Sequence, residues 1–336
     1  MEKEKIWIEK MPKVDLHCHL DGSLSAHTIE LLAKMRGIPL VDGWRDKISV
    51  DDRCASLTEY LKCFELPLCC LHSEEAFFGA VKNLLCDASK EQVMYMEIRF
   101  APMLSVTESL SGEEIVEAAL EGLKSAKREY DIGGNLILCC MRNHGTKKNE
   151  EVIRLAKKYY GRGVCAVDLA GDESAYPTDR FRELFEIVKR AGLPCTIHAG
   201  ECGSADEVRT ALQIGADRIG HGIAMRGKRE LQQICKKKRI GVELCPSSNL
   251  QTKAVGNLRD YPIEEFLKEG LLVSVNTDNR TVSGTTLTEE LWKIRKNFKI
   301  SAEELTQYAV DTSFAEEDEK KTMRQRLSQY CEKTKR

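Results

Sequence analysis

Two histidines one residue apart, His17 and His19, lie in the stretch Val14-Asp15-Leu16-His17-Cys18-His19-Leu20-Asp21-Gly22. On a β-strand alternate side chains share a face, so this pair projects together and Cys18 turns to the other side as a wall residue. An apolar run precedes the pair and Asp21-Gly22-Ser23 follows it, which sets it at the C-terminal lip of a buried strand. Alone, such a pair serves packing as readily as chemistry. Its partners are found further along, each just after a short apolar run: His198-Ala199-Gly200-Glu201, Gly220-His221-Gly222 and Asn276-Thr277-Asp278-Asn279. Four of the seven histidines thus fall at three such ends. Three neutral imidazoles, His17, His19 and His198, with the Asp278 carboxylate suit one borderline cation such as Zn²⁺, leaving a position open for water. Such an ion brings the pKa of water toward neutrality. A proton donor and a group to steer the water are then needed. Glu201 and His221 are the candidates, the latter because imidazole titrates in the useful range. The bland alternatives are a helix cap for Glu201 and a packing role for His221. His27, His72 and His144 read as structural or peripheral.

These residues need elements that bring them together. Strand-like apolar runs recur at 14–17, 93–100, 135–141, 164–169, 194–198, 218–221, 240–244 and 271–277, eight in all. Helical segments with readable caps separate most of them. Ser111-Gly112-Glu113-Glu114 and Ser204-Ala205-Asp206-Glu207 read as capping boxes. Asn149 and Thr178 can open the helices ending near Gly161 and Gly192. Buried strands alternating with helices imply a parallel sheet, and eight of them imply closure into a (β/α)8 barrel of the α/β class. An open doubly wound sheet is the alternative, and no Gly-rich fingerprint follows an early strand to support it. Barrels carry their active sites at the C-terminal strand ends, where all the residues above fall; Arg99 and Asp168 also mark strand ends.

Residues 23–91 show helical patterning and no convincing strand, a helical insertion after strand 1. Ser25 caps a first helix that stops at Gly37-Ile38-Pro39. A second piece carries Leu57, Tyr60, Leu61 and Phe64 at helical spacing. That stripe is an ordinary core face or, lying over a barrel mouth, the apolar lid of a pocket. A charged helical tail closes the chain, so residues 1–336 read as one domain with C-terminal helices over about 301–335.

With 336 residues and a formal net charge of −2, the chain gives no reason to expect nucleic acid or an anionic membrane as a partner. The Lys236-Lys237-Lys238-Arg239 run sits at a helix end, where cations suit the macrodipole. Fourteen cysteines without any Cys-x-x-Cys pair, in a chain opening Met-Glu-Lys-Glu-Lys, point to free thiols in a reducing cytoplasm rather than to disulfides or a zinc ribbon. His72-Ser73-Glu74 mimics half of the cysteine-liganded deaminase signature and lacks the other half. Oligomeric state leaves no trace in the sequence.

The set Asp15-Leu16-His17-Cys18-His19-Leu20-Asp21-Gly22-Ser23, Asp168-Leu169-Ala170-Gly171-Asp172-Glu173, His198-Ala199-Gly200-Glu201, Gly220-His221-Gly222, Cys245-Pro246-Ser247-Ser248-Asn249 and Asn276-Thr277-Asp278 resembles the adenosine deaminase family of the amidohydrolase superfamily, in order, from about residue 11 to past 310. The resemblance implies zinc-dependent hydrolytic deamination of adenosine and 2'-deoxyadenosine to the inosine product and ammonia. It implies His17, His19, His198 and Asp278 as zinc ligands, Glu201 as proton donor to purine N1, and His221 as the residue handling the water. It further implies Asp21 at the ribose 5'-hydroxyl with His19 near the sugar, the Gly171 backbone at N3, and the Leu57, Tyr60, Leu61 and Phe64 stripe as lid. One position departs: the family commonly has Asp-Asp where this chain has Asp278-Asn279. The second side chain is expected to face N7, and Asn279 offers an amide donor there at every pH. Asp21 favours a nucleoside over free adenine, whose deaminases tend to carry Glu there, and over a 5'-phosphate, which it would repel.

Overall fold

A computed structural model describes residues 2–50, 54, 57–202 and 204–334. Eight parallel strands follow one another in chain order around a barrel: β1 Lys13–His19, β2 Val93–Phe100, β3 Gly133–Met141, β4 Val164–Ala170, β5 Cys195–Ala199, β6 Arg218–His221, β7 Gly241–Leu244 and β8 Leu272–Val275. The eight expected runs match them within a few residues. Both faces of these strands are covered, which is why they read as continuous rather than alternating apolar runs.

The seam between β8 and β1 is made differently from the other seven. The Asn276 side chain accepts from Leu16 N at 2.9 Å, and Thr277 Oγ1 donates to Asp15 Oδ2 at 2.6 Å. Just above, Asp278 N donates to His17 O and His19 N to Asp278 O, both at 2.7 Å. Closure therefore carries Asp278 to a place beside His17 and His19, residues some 260 positions away in the chain.

Between β1 and β2 the described elements are all helical, including Ala26–Arg36, Leu57–Lys62, Glu65–Cys70 and Glu74–Lys90. Ser25 caps the first of these through Thr28 N, and Gly37 ends it in the left-handed region. Ser73 caps the last through Ala76 N, so His72-Ser73-Glu74 is a helix start. The capping box at Ser111 and Glu114 is present. Three expectations about caps fail, the first at Thr178, which begins a short 3₁₀ turn over Thr178–Phe181 while Phe181 stands at the N-cap of the helix Arg182–Ala191. Ser204 stands at the N-cap but makes no capping bond, and Glu207 accepts instead from Thr178 N and Oγ1 at 2.6 and 2.5 Å. Asn149 lies inside the helix Thr146–Tyr159, where its side chain bonds Met141 N and O on β3; a competing tertiary partner overrides the local preference.

A helix the sequence did not announce, Glu2–Lys10, is held by Lys13, whose ammonium donates to the carbonyls of Ile8, Glu9 and Met11. Burial lowers that lysine to about 8. The helices Ala302–Thr312 and Glu317–Thr334 complete the chain where a charged tail was expected. No described helix is long and apolar enough to cross a membrane.

Candidate active site

At the C-terminal mouth of the barrel lies a cavity of about 220 Å³. His19, His198, His221, Glu201 and Asp278 occupy one side, with Asn279, Asp21 and Gly171 around them. Tyr60, Leu61, Phe64 and Leu68, from the helices after β1, contribute to the rest with Ala101, Leu104 and Met141. The Leu57 side chain lies outside the described residues. His27, His72 and His144 take no part.

The orientation of the rings follows from what stands behind them. His17 Nδ1 is 2.7 Å from Glu243 Oε2, and a carboxylate can only accept, so Nδ1 carries the hydrogen. That leaves His17 Nε2 a bare lone pair, fully buried, with no hydrogen-bond partner. His198 Nδ1 is likewise committed to Asp168 Oδ1 at 3.1 Å, and its Nε2 faces His19 Nε2 at 3.2 Å. Asp278 Oδ1 lies 3.5 Å from Nε2 of both His17 and His19. Lone pairs converging on one space, with the rings of His17 and His198 fixed by carboxylates behind them, are the arrangement a divalent cation satisfies. The four residues named from the sequence fit such an ion.

Charge states agree for most of the set. Burial holds the imidazoles of His19, His198 and His221 below their usual range, neutral and able to ligate. For His17 burial also acts downward, but the nearby carboxylates of Asp278 and Glu243 outweigh this and raise it; a bound cation would take the place a proton could occupy at Nε2. Cys245, close to His17, His221 and Asp278, is held protonated by burial, which makes it a poor ligand.

Glu201 sits on the turn after β5. The carboxylate of Glu173 accepts from Gly200 N and Cys202 N at 2.8 and 2.6 Å, gripping the backbone on both sides of it. Burial, then the charges of Asp278 and Glu173, push the Glu201 carboxyl up to about 8. It is therefore an acid at neutral pH, 3.7 Å from His221 Nε2. Burial pushes Asp21 up to about 6, which leaves it mostly ionised at pH 7. Gly171 adopts φ +106° at the end of β4. Asn279 Nδ2 donates to Asp278 Oδ1 at 2.8 Å, while its Oδ1 is buried without a partner. One amide hydrogen is thus spent on the neighbouring carboxylate and one remains.

The motifs gave no hint of the charged layer underneath. Glu243, fully buried on β7, also accepts from Arg99 Nη2, Arg218 Nε and Thr196 Oγ1 at 2.9, 2.6 and 2.9 Å. Arg99 continues to Asp168 at 3.2 Å and Arg218 to Glu97 at 2.6 Å. A signal did exist: charges inside otherwise apolar strands survive burial only when paired.

The model of the adenosine deaminase family matches residues 12–330. An adenosine deaminase of Clostridium botulinum is 42% identical over 325 residues, 94% of this chain and 97% of that one. Among solved structures, the N6-mAMP deaminase of Arabidopsis has a TM-score of 0.87 at 26% identity, covering 96% of this chain and 99% of the other. An amidohydrolase from B. ambifaria with bound Zn has a TM-score of 0.89 at 20% identity, covering 98% and 93%. A match that runs nearly end to end, on a barrel whose mouth gathers these side chains, makes the chain a member of the adenosine deaminase family.

Proposed function

We propose that this protein hydrolyses the 6-amino group of adenosine and 2'-deoxyadenosine, giving inosine or 2'-deoxyinosine and ammonia. The observation that carries the reading is a carboxylic acid, Glu201, kept protonated in the wall of a buried cavity beside a cluster of imidazole lone pairs. Zn²⁺ held by His17, His19, His198 and Asp278 would acidify water at neutral pH. Glu201 gives its proton to N1 of the ring and makes C6 electrophilic. His221, within reach of Glu201, orients the water that adds at C6. One hydrogen of the water passes to the 6-amino group, which leaves as ammonia, the other returns to Glu201, and the ring keeps the oxygen at C6 and the proton at N1.

Asp21 accepts from the 5'-hydroxyl, the Gly171 N–H meets N3, and the free amide hydrogen of Asn279 serves N7. Tyr60, Leu61 and Phe64 exclude bulk water, which strengthens each of these contacts. The cavity also favours nucleoside over nucleotide. Among the described residues, the carboxylates of Asp21 and Asp278 line it and no Lys or Arg does, so a 5'-phosphate finds repulsion and no partner. The buried thiols of Cys139, Cys140, Cys165, Cys195 and Cys235 are free, which suits a reducing cytoplasm.

Parallel turnover of adenosine, 2'-deoxyadenosine, adenine and AMP, followed by the ultraviolet change on deamination with zinc supplied, tests this. Adenosine and 2'-deoxyadenosine are expected to lead. A preference for AMP or adenine, or no turnover of any of the four, overturns the reading.

A further inference from the structure

Behind His221 stands a second, uncharged chain of hydrogen bonds. His221 Nδ1 is 3.0 Å from Asn249 Nδ2, and Asn249 Oδ1 is 3.0 Å from the hydroxyl of Tyr261. All three side chains are buried, Asn249 completely. The direction of each bond follows from counting donors. The Tyr261 hydroxyl has one hydrogen to give, and it goes to Asn249 Oδ1. The Asn249 amide is then fixed with its carbonyl toward Tyr261 and its NH₂ toward His221. Turned around, the amide would put its NH₂ against the Tyr261 oxygen and take away the acceptor of the phenolic hydrogen, a cost buried groups avoid. An NH₂ can only donate, so the neutral imidazole must accept at Nδ1 and carry its hydrogen at Nε2. This is the reverse of His17 and His198, where carboxylates behind the rings put the hydrogen on Nδ1.

We infer that Tyr261 and Asn249 are positioning residues that fix His221 as the Nε2–H tautomer, so that His221 enters the reaction as a hydrogen-bond donor to the attacking oxygen and not as its base. The inference rests on the deaminase reading for its meaning in catalysis. The tautomer itself can be measured without turnover.

The test is ¹⁵N–¹H correlation of the ring nitrogens in the zinc-loaded protein labelled at histidine, with the His221 signals assigned by their loss in His221→Gln. Wild type is expected to show a bare Nδ1 and a protonated Nε2 at His221. Asn249→Asp, which puts an acceptor behind the ring, is expected to move the hydrogen to Nδ1 and lower kcat about a hundredfold, with KM changed by about twofold at most. Tyr261→Phe frees the amide to turn and is expected to give both ring patterns. A wild-type His221 protonated at Nδ1 overturns the inference even if neither variant folds. A ring pattern unmoved in folded Asn249→Asp overturns it too. Failure of the wild type to deaminate adenosine would instead sink the functional reading and leave the tautomer as measured.

Discussion

Replacing Glu243 by Gln asks how much the site depends on the charge beneath it. One carboxylate there receives four donors: His17 Nδ1 at 2.7 Å, Arg99 at 2.9 Å, Arg218 at 2.6 Å and Thr196 at 2.9 Å. Burial raises its pKa, but Arg99 and Arg218 more than offset this and hold it well below the usual carboxylate range. An amide of the same shape accepts at one end only, so donors at the other end meet an NH₂. Breaking a buried ion pair costs about 3–5 kcal/mol. Arg99 keeps Asp168 and Arg218 keeps Glu97, which places the loss near the lower end, about 3 kcal/mol. For a chain of this length that is a fall in Tm of about 4 °C. The second consequence is specific to the site. His17 loses the acceptor that fixes its tautomer, and affinity for the ion should drop about 10–100-fold. Thr196→Val, which removes one neutral donor, is the control, at about 1 kcal/mol and no change in ion affinity. Thermal unfolding and competition with a zinc chelator read the two effects. Ion affinity unchanged in Glu243→Gln would refute the reasoning, whatever the stability.

Glu201→Gln should keep the fold and lower kcat by about 10²–10⁴. Because burial lifts Glu201 to about 8, the acid form is present below that pH, and kcat/KM should fall as pH rises through it; an alkaline limb that persists unchanged in residual Glu201→Gln activity would contradict the assignment. Gly22→Ala puts a Cβ 1.9 Å from Asn279 Oδ1. Asn279 must then leave Asp278, with a stability loss of about 1–3 kcal/mol and a raised KM for adenosine, and an unchanged KM would show that Asn279 does not face the substrate. Removing the ion with a chelator should abolish turnover and lower Tm, both restored by Zn²⁺; turnover that survives exhaustive chelation would remove the metal from the mechanism.

How much could be read in advance depended on whether a residue's partner was local. His17, His19, His198, Glu201, His221 and Asp278 were legible because each ends a short apolar run, and in a parallel barrel all such ends meet at one face. The helix starts at Ser25 and Ser111 were legible because a cap is satisfied within one turn. Asn149 and Glu207 were misread by that same local rule, since their partners lie on β3 and at Thr178. Glu97, Arg218 and Glu243 escaped because pairing across the barrel interior depends on strand register, which the pattern of one strand does not contain. Asn279 fell between: its amide was expected on the ring, and the structure shows one hydrogen already given to Asp278.

The β8–β1 seam ties these two kinds of information together. His17 and Asp278 are joined by their own backbone, with Asp278 N bonded to His17 O and His19 N to Asp278 O. Asp278 is left-handed at φ +58°, an uncommon state for a residue with a Cβ, and the seam's bonds over-determine it. The separation of these two candidate ligands is thus set by barrel closure through the backbone. The same bonds run the other way: an ion drawing Asp278 toward His17 and His19 would pull the last strand against the first. Metal binding at these residues would therefore be coupled to closure of the barrel, and substitutions at the seam residues Asn276 or Thr277 are expected to lower ion affinity measured by chelator competition.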